Sequence, residues 1–202
     1  MPIEFEPTPN PDALRVTLGV LVSQGPPRQF SGPGAADPLA VALLAIPGVA
    51  RVLIGGNFVT VVRAGPEHDW AMMRPEIVLA LTDALESAAA PSPAPERAVP
   101  AGDIAQQIEE VLDRWVRPLL AADGGDVVLI GFDPADGTAT VRMEGACGGC
   151  PSGAITLKRG IEQSIRRWVP EVSRVVAAAE ESPTADPKAR FRSWVAAKWG
   201  RG

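Results

Sequence analysis

Tyrosine is missing from these 202 residues, histidine occurs once, at His68, and cysteine only twice. A chain so poor in general bases and covalent nucleophiles has little to offer catalytic turnover, and no enzyme is expected. Two cysteines three positions apart also exclude the disulfide framework that staples small secreted domains. No run approaches ~18 consecutive strongly apolar residues, so no membrane span is expected. Positive charge is scarce as well: Lys and Arg number 19 against 24 Asp and Glu, a formal net charge of −5. General nucleic-acid affinity needs concentrated Lys and Arg, which leaves proteins as the expected partners. The first residues, MPIEFEPTPNPDALRV, carry acids and prolines where a secretory signal would need a basic start and an apolar run. They also lack the Arg-rich character of an organelle transit peptide, and the expected home is the cytoplasm.

What is present is 46% hydrophobic residues, enough for real cores. The segment from Ala88 to Gly102 is rich in Ala and Pro and divides two periodic stretches. It predicts an extended, semi-rigid linker that lets the halves reorient. The expected division is an α+β domain over 1–88, a linker over 89–102, a second domain over 103–179 and a tail over 180–202.

In the first half, Leu14–Val22 alternates like a half-buried strand, with Arg28–Ser31 as its pairing candidate. Asp37 and Pro38 offer an N-cap and a first helical position for a short helix that Pro47-Gly48 stops. Val49–Ile54 and Phe58–Arg63 flank Gly55-Gly56-Asn57, a hairpin with turn residues tolerant of positive φ. Glu67–Ala88 reads as helix, starting afresh at Pro75.

In the second half, Asp103 and Gln106 resemble a capping box ahead of Ile104, Ile108, Val111, Leu112, Trp115 and Leu119 at helical spacing. Pro118 is expected to kink or divide that helix. Strands follow at Val127–Phe132 and Ala139–Met143. A second helix has Ala154, Leu157, Ile161, Ile165 and Trp168 on one face, and Val172–Ala177 reads as a last strand. The whole is a fold of two small two-layer α/β domains, the second α-β-β-α-β.

The chemistry lies in Gly145-Ala-Cys-Gly-Gly-Cys-Pro-Ser-Gly153, a glycine-rich loop running into a helix that starts at Pro151. Cys147 and Cys150 can point the same way across one turn and chelate one centre, and soft thiolates select iron–sulfur clusters, zinc or copper(I). A helix N-terminus favours the thiolate form and offsets the charge of a thiolate-bound cluster. A [4Fe–4S] or [2Fe–2S] cluster usually takes four thiolates and this chain has two, which predicts a homodimer around one shared cluster. Such a cluster should be easy to surrender, so transfer to other proteins follows. A thiol–disulfide oxidoreductase and a zinc-binding adaptor remain alternatives for the same pair, although a thioredoxin-like fold needs more chain than the ~50 residues that follow.

Arg117-Pro-Leu-Leu-Ala-Ala-Asp-Gly-Gly-Asp126 and Gly145 to Leu157 resemble the C-terminal domain of NifU. Phe5-Glu-Pro-Thr-Pro-Asn-Pro11 and Gly55-Gly-Asn-Phe-Val-Thr60 resemble the N-terminal domain of Nfu proteins. The resemblance implies a scaffold or carrier that accommodates a [4Fe–4S] cluster on a dimer, with Cys147 and Cys150 as ligands. It also implies apo iron–sulfur client proteins and upstream assembly proteins as partners. Ser152-Gly153 stands where the family often has a serine pair.

Other residues read more simply. Asp123 and Asp126 suit turn and cap duties around Gly124-Gly125. His68, far along the chain from the cysteines, suits a surface or capping role. Met143, Ile155 and Trp168 suit the core. The tail holds five basic residues and no acid from Lys188 onward, with Phe191, Trp194, Val195 and Trp199 near one side of a possible helix. It could dock a client or fold back on its own domain.

Overall fold

A computed structural model of the chain describes residues 2–32, 35–87, 90–148 and 151–178, without the side chains of 151–155. The tail, Cys150 and the Ile155 side chain lie outside these described residues.

The N-terminal domain begins with strands β1 (Ile3–Pro7) and β2 (Ala13–Leu18), a two-residue β3 (Ser23–Gln24) and β4 (Arg28–Ser31). Helix α1 (Pro38–Leu44), the hairpin β5 (Val49–Ile54) and β6 (Phe58–Arg63), and helix α2 (Trp70–Ser87) complete it. The five longer strands form an antiparallel sheet in the order β1-β2-β6-β5-β4. Arg28–Ser31 therefore pairs with β5 at the far edge rather than with β2, because the hairpin occupies the position beside β2. Val16, Val52, Ile54, Val59 and Val61 share a core with Leu43 of α1 and Ile77 and Leu81 of α2. The Asp37 carboxylate accepts hydrogen bonds from the Leu39 and Ala40 amides, capping α1 as its sequence predicts.

Three local expectations change. Neither Gly55 nor Gly56 has positive φ; Gly55 is needed for space, since a Cβ there would overlap the Phe58 ring. Helix α2 runs through Pro75, its start set by Asp69, whose carboxylate accepts from the Ala71 amide. No side chain caps the helix at Asp103: Gly102 precedes it at φ +115° and Asp103 is already helical.

The C-terminal domain opens with α3 (Asp103–Val111), a π-helical turn (Leu112–Val116) and α4 (Arg117–Ala122). Then come β8 (Gly125–Asp133), β9 (Thr138–Gly145), α5 (Pro151–Trp168) and β10 (Arg174–Ala177), with β7 (Ser92–Pro93) lying earlier in the linker. The sheet order is β10-β9-β8, with β10 parallel to β9. Alternate residues Val127 and Leu129, and Ala139, Val141 and Met143, face the helices through Ile108, Leu112, Ile161 and Ile165. That is the α-β-β-α-β layer pair expected, with its first helix divided.

The division turns the helix. A π-turn adds one residue to the repeat, so the buried line runs Ile108, Leu112, Val116, Leu120 instead of continuing to Trp115 and Leu119. Trp115 and Leu119 stand outward, 48% and 70% exposed. Pro118, with no N–H and a ring that crowds the previous turn, explains why the regular ladder yields there. Trp168, 54% exposed, is likewise no core residue: it stacks on Trp115 with ring centroids 6.2 Å apart and planes 2° from parallel.

The linker is not a free spacer. Its β7 pairs in parallel with β3, and Arg97 forms an ion pair with Asp126 of β8. The halves are also in direct contact, through Ala146 against Ala13 and Val62, where an extended linker was expected to keep them from collapsing together. The run Phe58-Val-Thr-Val-Val62 is buried on both faces, as is Leu53, because the second domain covers the sheet face opposite the helices.

Candidate functional site

The covering element is the loop that carries Cys147. Gly145 ends β9 with φ +61°, and its missing Cβ leaves room for Leu53 of the first domain, 2.6 Å from where that atom would lie. Ala146 packs with Ala13 and Val62, so the residue beside the cysteine is a small apolar plug in the other domain's sheet. The loop is turned on itself by Cys147 N–H donating to the Glu144 carbonyl (3.3 Å), Gly148 N–H to Gly145 (3.2 Å) and Ala146 N–H to Gly124 (3.0 Å).

Two glycines of the Asp123–Asp126 segment have separate duties. Gly124, at φ +75°, faces the first domain: a Cβ there would sit 2.7 Å from Thr60 Oγ1 and 3.2 Å from Arg15 Cβ. Gly125, paired across the sheet with Gly145, lies under Cys147, whose Sγ occupies the space a Cβ at 125 would need. The thiol is half-buried and reaches the lip of a groove of about 260 Å³ formed with Pro9, Asn10, Leu120, Asp123 and Leu157.

Side chains of the first domain hold this loop. Gln29 Oε1 accepts from the Gly145 amide (2.8 Å). The Asn10 amide donates to the carbonyls of Ala146 (3.2 Å) and Gly148 (3.1 Å), one on each side of Cys147. Nothing in residue type marked Gln29. Asn10 stands within the Pro7-Thr-Pro-Asn-Pro11 run already noted, and the crowding of prolines around one amide was the available signal.

Beneath the loop is a buried ionic layer. Asp126, 1% exposed, sits opposite Glu144 on the neighbouring strand. Arg97 pairs with Asp126, Arg117 approaches it at 3.8 Å, and Arg142 lies 3.1 Å from Glu144. Burial pushes the Asp126 carboxyl above its ordinary range, with Arg97 and Arg117 opposing. Burial does the same to Glu144, opposed by Arg142 and reinforced by the neighbouring Asp126 charge. Burial disfavours the Arg117 cation, but hydrogen bonds to Glu109 and Asp113 outweigh that and hold it above its ordinary value.

Asp126 is thus an ion-pair residue within a strand rather than a turn or cap residue, while Asp123 does follow the last turn of α4. Met143 is core as expected. His68 lies half-buried ahead of α2, over Gly48 and 3.5 Å from Glu67. Among the described residues no group of three or more His, Cys, Asp or Glu could hold a metal ion, and no helix is long and apolar enough to cross a membrane.

Comparison with known proteins matches the family model "NifU-like domain" over residues 108–176 and "Scaffold protein Nfu/NifU N terminal" over 3–88. A human protein, "NFU1 iron-sulfur cluster scaffold homolog, mitochondrial", is 35% identical over 183 residues, covering 86% of this chain and 70% of that protein. "NifU-like protein 4, mitochondrial" of Arabidopsis thaliana is 37% identical over 184 residues, covering 86% of this chain and 64% of that protein. A solution structure of a NifU-like protein from Saccharomyces cerevisiae aligns at 24% identity and a TM-score of 0.37, over 44% of this chain and 81% of that one. The chain spans about two thirds of the length of the two curated relatives.

Their names overturn the cytoplasmic expectation, since both relatives are mitochondrial proteins. With both family models matched in order, and a 35%-identical relative matched over 70% of its length, the chain belongs to the Nfu/NifU-like family of iron–sulfur cluster scaffold proteins.

Proposed function

We propose that this protein is a non-catalytic carrier that takes an iron–sulfur cluster from an assembly protein, holds it on Cys147 and Cys150 across a homodimer, and passes it to apo-proteins by thiolate exchange. The observation that carries the reading is the seat of Cys147: its thiol rests on Gly125, at the lip of a groove. A glycine-rich loop there leads towards helix α5 at Pro151. Backbone amides and a helix N-terminus are suited to a thiolate-bound cluster, and two ligands per chain call for a second chain. The cluster is cargo in this scheme, of the [4Fe–4S] type or, with the same ligands, [2Fe–2S]. The domain division we propose is the one drawn from composition, 1–88, 89–102 and 103–179, followed by the basic tail 180–202.

Anaerobic reconstitution with iron and sulfide tests the reading. A carrier acquires one cluster per two chains, seen as matching iron and labile sulfide, a Mössbauer spectrum of the assigned cluster type and a dimer in solution. Zinc retained in place of iron, or reduction of protein disulfides by the unloaded chain, would displace it with the adaptor or the oxidoreductase.

A further inference from the structure

The first domain has so far had no chemical task, yet one of its buried polar side chains donates to the carbonyls on either side of the cysteine. Asn10 is 4% exposed. Its own turn fixes which way the amide faces: Oδ1 accepts from the Asp12 amide at 3.0 Å, its backbone carbonyl accepts from Thr8 Oγ1 (2.8 Å) and the Ala13 amide (3.0 Å), and its N–H donates to Thr8 Oγ1 at 3.3 Å. With Oδ1 committed, Nδ2 is left to donate, and both its hydrogens go to the loop, at Ala146 and Gly148. Pro9 and Pro11 on either side restrict the backbone, so the amide is presented from a stiff support.

We infer that Asn10 is a positioning residue for Cys147: by tying down the carbonyls on both sides of the cysteine, the first domain sets the direction of the thiol and opposes opening of the loop. This inference rests on the carrier reading for its purpose, not for its geometry. Pro9 and Asn10 line the same groove as Cys147. Undocking Asn10 releases the carbonyls on both sides of Cys147, and a client that displaces the first domain, with its Asn10 and Gln29 contacts, gains access to the thiol. The N-terminal domain acts as a clasp whose release favours transfer.

Asn10→Asp tests this with little change of shape. The carboxylate keeps the acceptor for Asp12 and removes both donors, setting anionic oxygen against two carbonyls. Asn10→Ala removes the donors without adding charge. On the unloaded full-length protein, both variants are expected to speed amide exchange at Cys147 and Gly148 about tenfold or more, and alkylation of Cys147 several-fold. Amides of Ala13–Leu18 should exchange at the wild-type rate, which separates loop release from damage to the domain. On the loaded protein, release of the cluster to a chelator should quicken several-fold.

Wild-type exchange and alkylation in both variants would overturn the clasp, whatever the cluster does, as would an effect confined to Asn10→Asp, which would be charge alone. Equal acceleration across Ala13–Leu18 would mark Asn10 as merely structural and overturn it too. Failure of the wild-type chain to take up a cluster would instead remove the carrier reading and leave the unloaded-protein result standing.

Discussion

Gly125 and Cys147 share one space: the cysteine sulfur lies where any side chain at position 125 would begin, with its Cβ only 3.0 Å from that point. The relationship makes Gly125 part of the thiol's seat although it has no functional group of its own. Gly125→Ala should therefore move the thiol at a cost of about 1–3 kcal/mol in folding stability. The expected outcome is a folded chain, judged by circular dichroism, that retains markedly less cluster after desalting than wild type. Equal iron content would show that the sulfur's position is immaterial.

Serine in place of Cys147 or of Cys150 is expected to abolish cluster binding while the unloaded protein still folds. Cys147 touches the core only at its edge and is half-buried, so its loss as a packing group is small. Iron analysis and a thermal melt of each unloaded variant check the two halves of the statement.

The ionic layer sets a pH dependence. In Asp126 and Glu144 the folded-state pKa lies above the ordinary carboxylate value, so between that value and the raised one the folded chain binds more protons than the unfolded chain. Their contribution to stability is present below the ordinary value and declines as pH rises through the raised values. Denaturant midpoints measured across this range should fall with rising pH, against the trend of ordinary paired carboxylates. The slope should flatten in Glu144→Gln, which keeps the shape and removes the titration.

Arg97 is the linker's hold on the second domain. Arg97→Ala leaves Asp126, 1% exposed, facing Arg117 at 3.8 Å without its closer ion-pair partner and is expected to cost about 3–5 kcal/mol at neutral pH. Cleavage by protease between Ala94 and Val99 should accelerate, and Asp126→Asn in the same chain should recover part of the loss by removing the stranded charge.

The π-turn makes neighbours in sequence unequal. Leu120→Ala, in the core, should cost about 2–5 kcal/mol, whereas Leu119→Ala should change stability by less than about 0.5 kcal/mol. An α-helix unbroken through this region would reverse the order. Urea unfolding of the two variants decides between them.

Local rules carried most of the secondary structure. Asp37 and Pro38 named their helix start, the hairpin Val49–Ile54 and Phe58–Arg63 stands at its expected limits, and the alternation from Leu14 onward marked strand β2, where Leu14, Val16 and Leu18 are buried. Those signals are written within a few residues of where they act. They failed where a distant element intervened. Arg28–Ser31 had no way to announce that the hairpin would take its place beside β2, and Trp115 and Leu119 looked apolar and in phase until one extra residue in the turn rotated them outward.

The site divides in the same way. The Cys147-Gly-Gly-Cys150 motif stood out in the sequence because paired soft thiolates in a glycine loop suit a metal centre, and the expectation of a second chain rested on ligand number alone. Asn10, Gln29, Arg97 and the reason for Gly125 came only from the tertiary structure, because each acts on a residue tens of positions away. Sequence by itself determined the cysteine motif, the periodic elements and the order in which the two family domains follow one another, since motif spacing and backbone propensity are local properties. The packing of one domain over the other's cysteine loop was decided by long-range burial of Ala146 against Ala13 and Val62, a contact that no local pattern encodes.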